Sequence, residues 1–350
     1  MNGNKLNLLI NLNTYKIGII GEGSWATVIA HIINSKKIPF NWFIQFKNIE
    51  IELKSNKRNP LYQSNLIFDN SLINYYDNLN DFFNNSDIIF LILPAVFTEQ
   101  LLKNFPLDCS NKIFISGIKG ILPLINLTVS QYLNKYLKVP YSNIVFFSGP
   151  SHAEELSQKK LTFLTFFSHN HSLSLSISSL LETEFLKTNI SNDILGAEFT
   201  TILKNIISIA VGIVHSLGYG DNFIAVLICK ALKEIKNFLN IVAPNNERDL
   251  LDYPYLGDLL VTCYSEHSRN RKFGKLLGKG LSLNEIKKNL SSEKSNNMIA
   301  EGYFSVKSII EISKKLSINL PICNFVYSLI YDKKNSYISK KIIENSLIFT

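Results

Sequence analysis

Lys16-Ile17-Gly18-Ile19-Ile20-Gly21-Glu22-Gly23-Ser24-Trp25-Ala26-Thr27 is the stretch on which the reading of the fold turns. The apolar run ending at Ile20 predicts a buried strand, and Val28 to Asn34 continues with helical spacing. Between them stands G-x-G-x-x-A in the setting that motif requires, with a strand before it and a helix after it. Gly21 supplies the tight turn and Gly23 a bare backbone for a pyrophosphate, while Ala26, in place of a third glycine, is small enough for the helix to pack on the sheet. The first amides of the helix would then face the phosphates. An ordinary glycine turn is the alternative, but context and position together favour a dinucleotide.

Working outward, short apolar runs alternate with helical patterns as far as about Lys187: Asn41–Phe46, Asp87–Leu93, Lys112–Ser116, Asn143–Phe147 and Leu161–Phe167. Alternation of this kind predicts a parallel sheet with helices on both faces, and runs that are apolar nearly throughout suit strands buried on both sides. After about Ser191 the pattern becomes long segments of helical period, such as Ile194–Ser216 and Asn222–Leu239, without strand signals. The expected fold class is therefore α/β, an N-terminal Rossmann doubly wound sheet followed by an all-α C-terminal domain. The boundaries read as 15–190 for the dinucleotide-binding domain and 191–350 for a helical substrate-binding domain. Residues 333–350 carry no interpretable motif.

At 350 residues, 46% apolar and 18% charged, the chain can bury a large core, which excludes a disordered tail or a disulfide miniprotein. The net charge of +8 is spread, with 16 basic and 13 acidic side chains up to residue 190 and 20 and 15 beyond it. No block reads as a nucleic-acid arm, and nucleic acid is not an expected partner. Cys109, Cys229, Cys263 and Cys323 lie too far apart for a zinc or redox pair, so no metal is expected and a reducing, cytoplasmic compartment fits best. Met1–Tyr15 lacks the marks of a secretory signal. Apolar stretches such as Ile206–Val214 stop short of a membrane span.

Within this frame a few side chains stand out. An acid about 20 residues beyond the glycines would bind the adenosine ribose and select NAD. The second strand ends instead in Gln45-Phe46-Lys47. A neutral Gln45, and a Lys47 that could meet a 2′-phosphate, leave NAD or NADP open and slightly favour NADPH. Lys119 lies between Gly117 and Gly120 beyond a strand end, where ligands of doubly wound sheets bind. Ser151, in Ser148-Gly149-Pro150-Ser151-His152-Ala153, could cap the helix that follows or receive a ligand at its start. Lys204 sits among Ile202, Leu203, Ile206 and Ile207. Burial there would lower its pKa, a neighbouring cation such as Lys119 would lower it further, and the result is an amine able to accept a proton; a lysine snorkelling to solvent is the alternative. Only four arginines occur, and two lie in Ser268-Arg269-Asn270-Arg271, where guanidinium forks and neutral donors suggest a phosphate clamp.

Taken together, Gly21–Thr27, Ile118-Lys119-Gly120, Ser148-Gly149-Pro150-Ser151, Leu203-Lys204-Asn205, Leu256-Gly257-Asp258-Leu259, Ser268–Arg271 and Ala300-Glu301-Gly302 make the sequence resemble bacterial-type NAD(P)-dependent glycerol-3-phosphate dehydrogenase, over residues 15 to about 332. The resemblance implies a Rossmann domain joined to a helical domain and a homodimer. It implies Lys204 as the proton acceptor, Lys119 beside the substrate and Asp258 orienting the lysine amine. Gly21, Gly23, Ser24, Trp25, Gln45, Lys119, Ala153, Arg269 and Glu301 match cofactor positions; Lys119, Gly149, Ser151, Lys204, Asp258, Ser268, Arg269 and Asn270 match substrate positions. Gln45 stands where an arginine often meets the adenosine phosphate, His152 replaces a usual aromatic, and Lys230-Ala231 replaces a common Arg-Gly.

The activity this implies is reversible hydride transfer between NAD(P)H and dihydroxyacetone phosphate, giving sn-glycerol 3-phosphate for phospholipid synthesis. Two other readings share the same features. A β-hydroxyacid dehydrogenase would use a similar fold and lysine with a substrate lacking phosphate. A non-catalytic dinucleotide sensor would bind the cofactor without turnover.

Overall fold

The computed structural model describes residues 9–291 and 300–332; the C-terminal stretch 333–350 and most of the Asn- and Ser-rich segment near 291–297 lie outside them. Among the described residues, contacts divide the chain into two compact units, one running up to residue 118 and including 129–194, the other of 119–128 and the residues from 195 onward. By position in the sequence, 119–128 falls inside the first expected domain, yet it packs with the helices.

The first unit is built on one eight-stranded sheet. Its strands are β1 (Ile17–Ile20), β2 (Phe40–Phe43), β3 (Ile73–Tyr76), β4 (Ile88–Leu91), β5 (Ile113–Ser116), β6 (Ile144–Ser148), β7 (Thr162–Phe167) and β8 (Leu186–Ser191). They lie in the order β3-β2-β1-β4-β5-β6-β7-β8. The first six form the doubly wound order of a dinucleotide fold. Strands β1, β2, β4, β5 and β6 are buried along their whole length, which is why they announce themselves as continuous apolar runs. The helices are α1 (Ser24–Ser35), α2 (Lys47–Asn56), α3 (Leu79–Asn84), α4 (Ala95–Leu102), α5 (Val129–Leu137), α6 (Ala153–Ser157) and α7 (His171–Leu181).

Two features depart from a parallel sheet read off apolar runs. First, β7 runs antiparallel to β6, while β8 is parallel to β7. The link from β6 to β7 contains only α6, five residues long, which rises about 7 Å against the roughly 16 Å of a five-residue strand. Too short to carry the chain back to the start of β6, it returns alongside. The eleven residues of α7 do span the strand and give a parallel neighbour. Second, β3 and β8 carry no apolar run: Ile73-Asn74-Tyr75-Tyr76 and Leu186-Lys187-Thr188-Asn189-Ile190-Ser191 are the two edges of the sheet. Edge strands with one open side tolerate polar residues, and such residues keep them from pairing with other chains.

The second unit is helical: α8 (Ile194–Ser216), α9 (Asp221–Val242), a π-helical turn at Tyr253–Gly257 running into α10 (Asp258–Tyr264), α11 (Arg269–Gly278), α12 (Leu283–Ser291), α13 (Glu301–Lys315) and α14 (Pro321–Tyr331). Helix α8 is the axis of its core, buried without interruption from Gly196 to Val214, as a helix apolar on all sides must be. Its 23 residues are long and apolar enough to cross a membrane, but that apolar window is wholly buried inside the unit. The run Ile206–Val214 is thus part of a longer core helix. Ile121, from the segment 119–128, joins the same core. The segment is closed by a bridge between Leu122 and Leu127 and tied down where Asn126 Nδ2 donates to Glu311 Oε2 at 2.7 Å.

Helices α8 and α11 touch backbone to backbone through glycines. A Cβ on Gly274 would lie 2.1 Å from the carbonyl oxygen of Ile209, and one on Gly212 would lie 2.2 Å from that of Arg271. Backbone cannot swing aside as a side chain can, so Gly274→Ala is expected to destabilise the unit by about 1–3 kcal/mol. Thermal unfolding of the variant checks this, and an unchanged midpoint would contradict it.

Candidate active site

In the first unit the turn after β1 is shaped by Gly21. Its φ is +121°, and a Cβ there would lie 2.1 Å from the Ile92 carbonyl oxygen, so both conformation and space require glycine. Gly23 caps α1 without a side-chain bond, and a Cβ added to it meets nothing within 4 Å. The start of α1 therefore presents amide groups across open space, with half-buried Ser24 and Trp25 as its first residues. Ala26 is fully buried beneath them. This cradle suits a pyrophosphate, which needs backbone donors and no obstructing side chain. Gln45 is exposed beyond β2. Lys47 is paired with Glu50 Oε2 at 2.9 Å and Asp77 Oδ2 at 3.5 Å.

Near the end of β6, Ser151 is buried, and its hydroxyl donates to the carbonyl of Gly149 at 2.9 Å. The cap residue of α6 is His152, with no side-chain capping bond, so Ser151 does not cap that helix. Its hydroxyl instead fixes its own turn. Ala153 opens α6 and is buried.

The second unit holds the ionisable cluster. Lys204, on α8, is 2% exposed, and its Nζ is paired with Asp258 Oδ2 at the start of α10. Asp258 is 1% exposed. Lys119 Nζ approaches the same carboxylate oxygen at 4.0 Å with a side chain 20% exposed. Two amines thus share one buried carboxylate, and only Lys119 reaches toward solvent. Burial of Lys204 lowers its pKa to about 8; Asp258 opposes that fall and Lys119 adds to it. The snorkelling alternative is excluded by the burial of the amine. Cys263 lies in the same pocket of charges, its thiol pushed up to about 12 by burial and therefore inert.

Asparagines join this cluster to α11. Asn205 Nδ2 donates to the Lys119 carbonyl at 2.9 Å, and Asn270 Nδ2 donates to Asn205 Oδ1 at 3.0 Å. The Gly302 amide, at the start of α13, donates to Asn270 Oδ1 at 2.9 Å. Ser268 caps α11 by accepting from the Arg271 amide, and its hydroxyl lies 3.1 Å from that of Ser208. Ser208 escaped the sequence reading, although its place one turn beyond Lys204 puts it on the same helix face. Glu301 is the first residue of α13.

The two arginines of α11 have different surroundings. Arg271 is buried, donates to the Tyr264 carbonyl at 3.0 Å and pairs with Glu266, so its guanidinium is committed within the fold. It does not belong to a phosphate clamp. Arg269, half-buried at the first position of α11, makes no hydrogen bond or ion pair among the described residues.

Known proteins resemble the chain over nearly its full length. The family described as NAD-dependent glycerol-3-phosphate dehydrogenase matches with its N-terminal part at residues 16–174 and its C-terminal part at residues 193–339. A glycerol-3-phosphate dehydrogenase [NAD(P)+] of Fusobacterium nucleatum is 32% identical over 323 residues, covering 92% of this chain and 94% of the relative. One from Chlorobium chlorochromatii is 31% identical over 320 residues, covering 91% and 94%. The crystal structure of glycerol-3-phosphate dehydrogenase from Coxiella burnetii superposes with a TM-score of 0.82 at 25% identity, covering 92% of this chain and 96% of that one. D-mandelate dehydrogenase with NADH, at a TM-score of 0.54 and 14% identity, covering 92% and 99%, shares the fold alone.

Proposed function

As the chain belongs to the NAD-dependent glycerol-3-phosphate dehydrogenase family, we propose that Lys204, Asp258 and Lys119 carry its chemistry and that Arg269 and Asn270 hold its substrate. The protein is an NAD(P)-dependent oxidoreductase, and its reaction interconverts dihydroxyacetone phosphate and sn-glycerol 3-phosphate. The observation that carries the assignment of roles is the buried Lys204 amine, set against Asp258 and beside Lys119.

When bound, the nicotinamide supplies the hydride donor or acceptor. In the oxidative direction neutral Lys204 takes the proton of the C2 hydroxyl, and in reduction it returns that proton. Asp258 holds the amine in place. Lys119, the more exposed of the two cations, polarises the C2 oxygen and stabilises negative charge as it develops there. Arg269, at a helix N-terminus, offers a guanidinium uncommitted among the described residues as the main grip on a phosphate, while Ser268 and Asn270, next to it in sequence and bonded to Ser208 and Asn205, fix the start of that helix. Anchoring that phosphate fixes the reacting carbon at a set distance from Lys204. Gly149 and Ser151 are assigned to substrate, and Gly21, Gly23, Ser24, Trp25, Ala153 and Glu301 to the dinucleotide.

Consumption of NADH or NADPH with dihydroxyacetone phosphate, followed by loss of the reduced nicotinamide's absorbance, tests the whole reading. No consumption by a folded protein that binds the cofactor would return the weight to the sensor or the hydroxyacid dehydrogenase. We also propose a cytoplasmic homodimer supplying glycerol 3-phosphate to phospholipid synthesis; the four unpaired cysteines suit a reducing compartment, and light scattering tests the assembly.

The pH dependence follows from Lys204. With its pKa near 8, oxidation of glycerol 3-phosphate rises as pH increases through that value, because the neutral amine is the base. Reduction falls over the same interval, because the protonated amine is the acid. Asp258→Asn removes the group that holds the proton on, so the midpoint of both profiles moves to lower pH. Profiles of kcat in the two directions check this, and curves that run the same way would refute it.

A further inference from the structure

The end of β2 lacks the acid that commonly receives the adenosine ribose, yet a carboxylate stands there. Glu22, between the two glycines of the β1–α1 turn, is 7% exposed. Its carboxyl takes hydrogen bonds from the backbone amides of Gln45 and Phe46, the residues that follow β2 and precede α2. Its main chain is pinned as well: Asn59, fully buried, donates from Nδ2 to the Glu22 carbonyl at 2.9 Å and to Thr27 Oγ1 at 2.9 Å. Asn59 is itself set by the Leu61 and Tyr62 amides, each bonded to its Oδ1 at 3.1 Å. The glutamate is therefore held by structure on both sides.

No cation pairs with Glu22 among the described residues. Lys47, the basic group nearest in sequence to this end of β2, is engaged by Glu50 and Asp77. Gln45 is neutral and exposed. Burial raises the carboxyl pKa to about 7 in spite of the two amides, so above neutral pH the group is an anion with hydrogen-bonding capacity left over.

We propose that Glu22 is the specificity-determining residue for the cofactor, accepting the adenosine ribose hydroxyls from a carboxylate supplied by the glycine turn, and that it makes the enzyme prefer NAD(H) over NADP(H). This rests on the dinucleotide reading of the β1–α1 turn and reverses the slight preference read from Lys47. A ribose diol presents donors to the carboxylate. A 2′-phosphate presents between one and two negative charges to it, and Lys47 is already engaged by Glu50 and Asp77.

The test is a set of equilibrium titrations at pH 8, where Glu22 is ionised, using NADH, NADPH, adenosine 5′-diphosphate and adenosine 2′,5′-bisphosphate on wild type, Glu22→Gln and Glu22→Ala. Wild type should bind NADH at least about tenfold more tightly than NADPH, with the same order for the two nucleotide fragments. Both variants should lose most of that ratio, Glu22→Ala chiefly by weaker NADH binding. Partial misfolding lowers both affinities together and leaves the ratio intact, so the ratio reports the residue. Equal or tighter NADPH binding by wild type, or a ratio unchanged in both variants, overturns the inference. Failure of a folded wild type to bind any of the four ligands overturns the dinucleotide reading, and the inference with it.

Discussion

Lys204→Ala is expected to bind NADH about as well as wild type and to reduce dihydroxyacetone phosphate about 10³–10⁴-fold more slowly. Removing a positioned proton donor and acceptor costs up to about 10⁴-fold by itself. Here the substitution also removes the amine paired with Asp258, which is 1% exposed, and leaves Lys119 at 4.0 Å from the same carboxylate. Lys119 is then drawn toward the carboxylate and away from the C2 oxygen, so the variant loses part of the electrostatic stabilisation too. The glycine turn that would hold the pyrophosphate belongs to the other unit and is untouched, which is why affinity for the cofactor should persist, while thermal unfolding of the variant separates lost chemistry from lost folding. Stopped-flow turnover with a parallel fluorescence titration checks both, and activity within about tenfold of wild type would remove Lys204 from the mechanism.

Arg269→Ala should raise KM for dihydroxyacetone phosphate by about 10–100-fold with little loss of thermal stability. Hydrogen bonds to a charged group contribute about 1.5–3 kcal/mol, and the Arg269 guanidinium makes no other bond among the described residues that its loss would break. Dihydroxyacetone without phosphate should be reduced equally poorly by variant and wild type. Arg269→Lys should fall between, because an ammonium keeps the charge and loses the bidentate fork. Arg271→Ala provides the contrast: it gives up the bonds to Tyr264 and Glu266 and should lower the unfolding temperature. If Arg269→Ala leaves KM unchanged, the phosphate is held elsewhere.

Local pattern made much of this legible. The glycine turn is readable because positive φ and a carbonyl 2.1 Å from a missing Cβ leave one residue type. The buried strands are readable because a strand covered on both faces must be apolar at every position. The edge strands β3 and β8 are not, since one open side lets Asn, Lys and Thr in. Lys204 is conspicuous as a charge within an apolar helix, and Arg269 as one of four arginines, but nothing local separates Arg269 from Arg271. One is half-buried and makes no bond among the described residues, and the other is buried against Glu266. That difference is set by which neighbours the helix meets.

By itself the sequence determined a doubly wound sheet beginning at β1, a helical second part, the dinucleotide turn, and a short set of cationic candidates. Each of these is governed by residues within a few positions of one another, so the pattern carries the physics. Only the tertiary structure decided that 119–128 packs with the helices, so that Lys119 shares the carboxylate of Asp258 with a lysine 85 positions away. It also decided that Asn205 and Asn270 link α8 to α11, and that the acid at the end of β2 comes from Glu22 in the turn after β1. Burial, desolvation and ion pairing depend on distances through space, and those distances exist only once the packed cores have brought remote segments together.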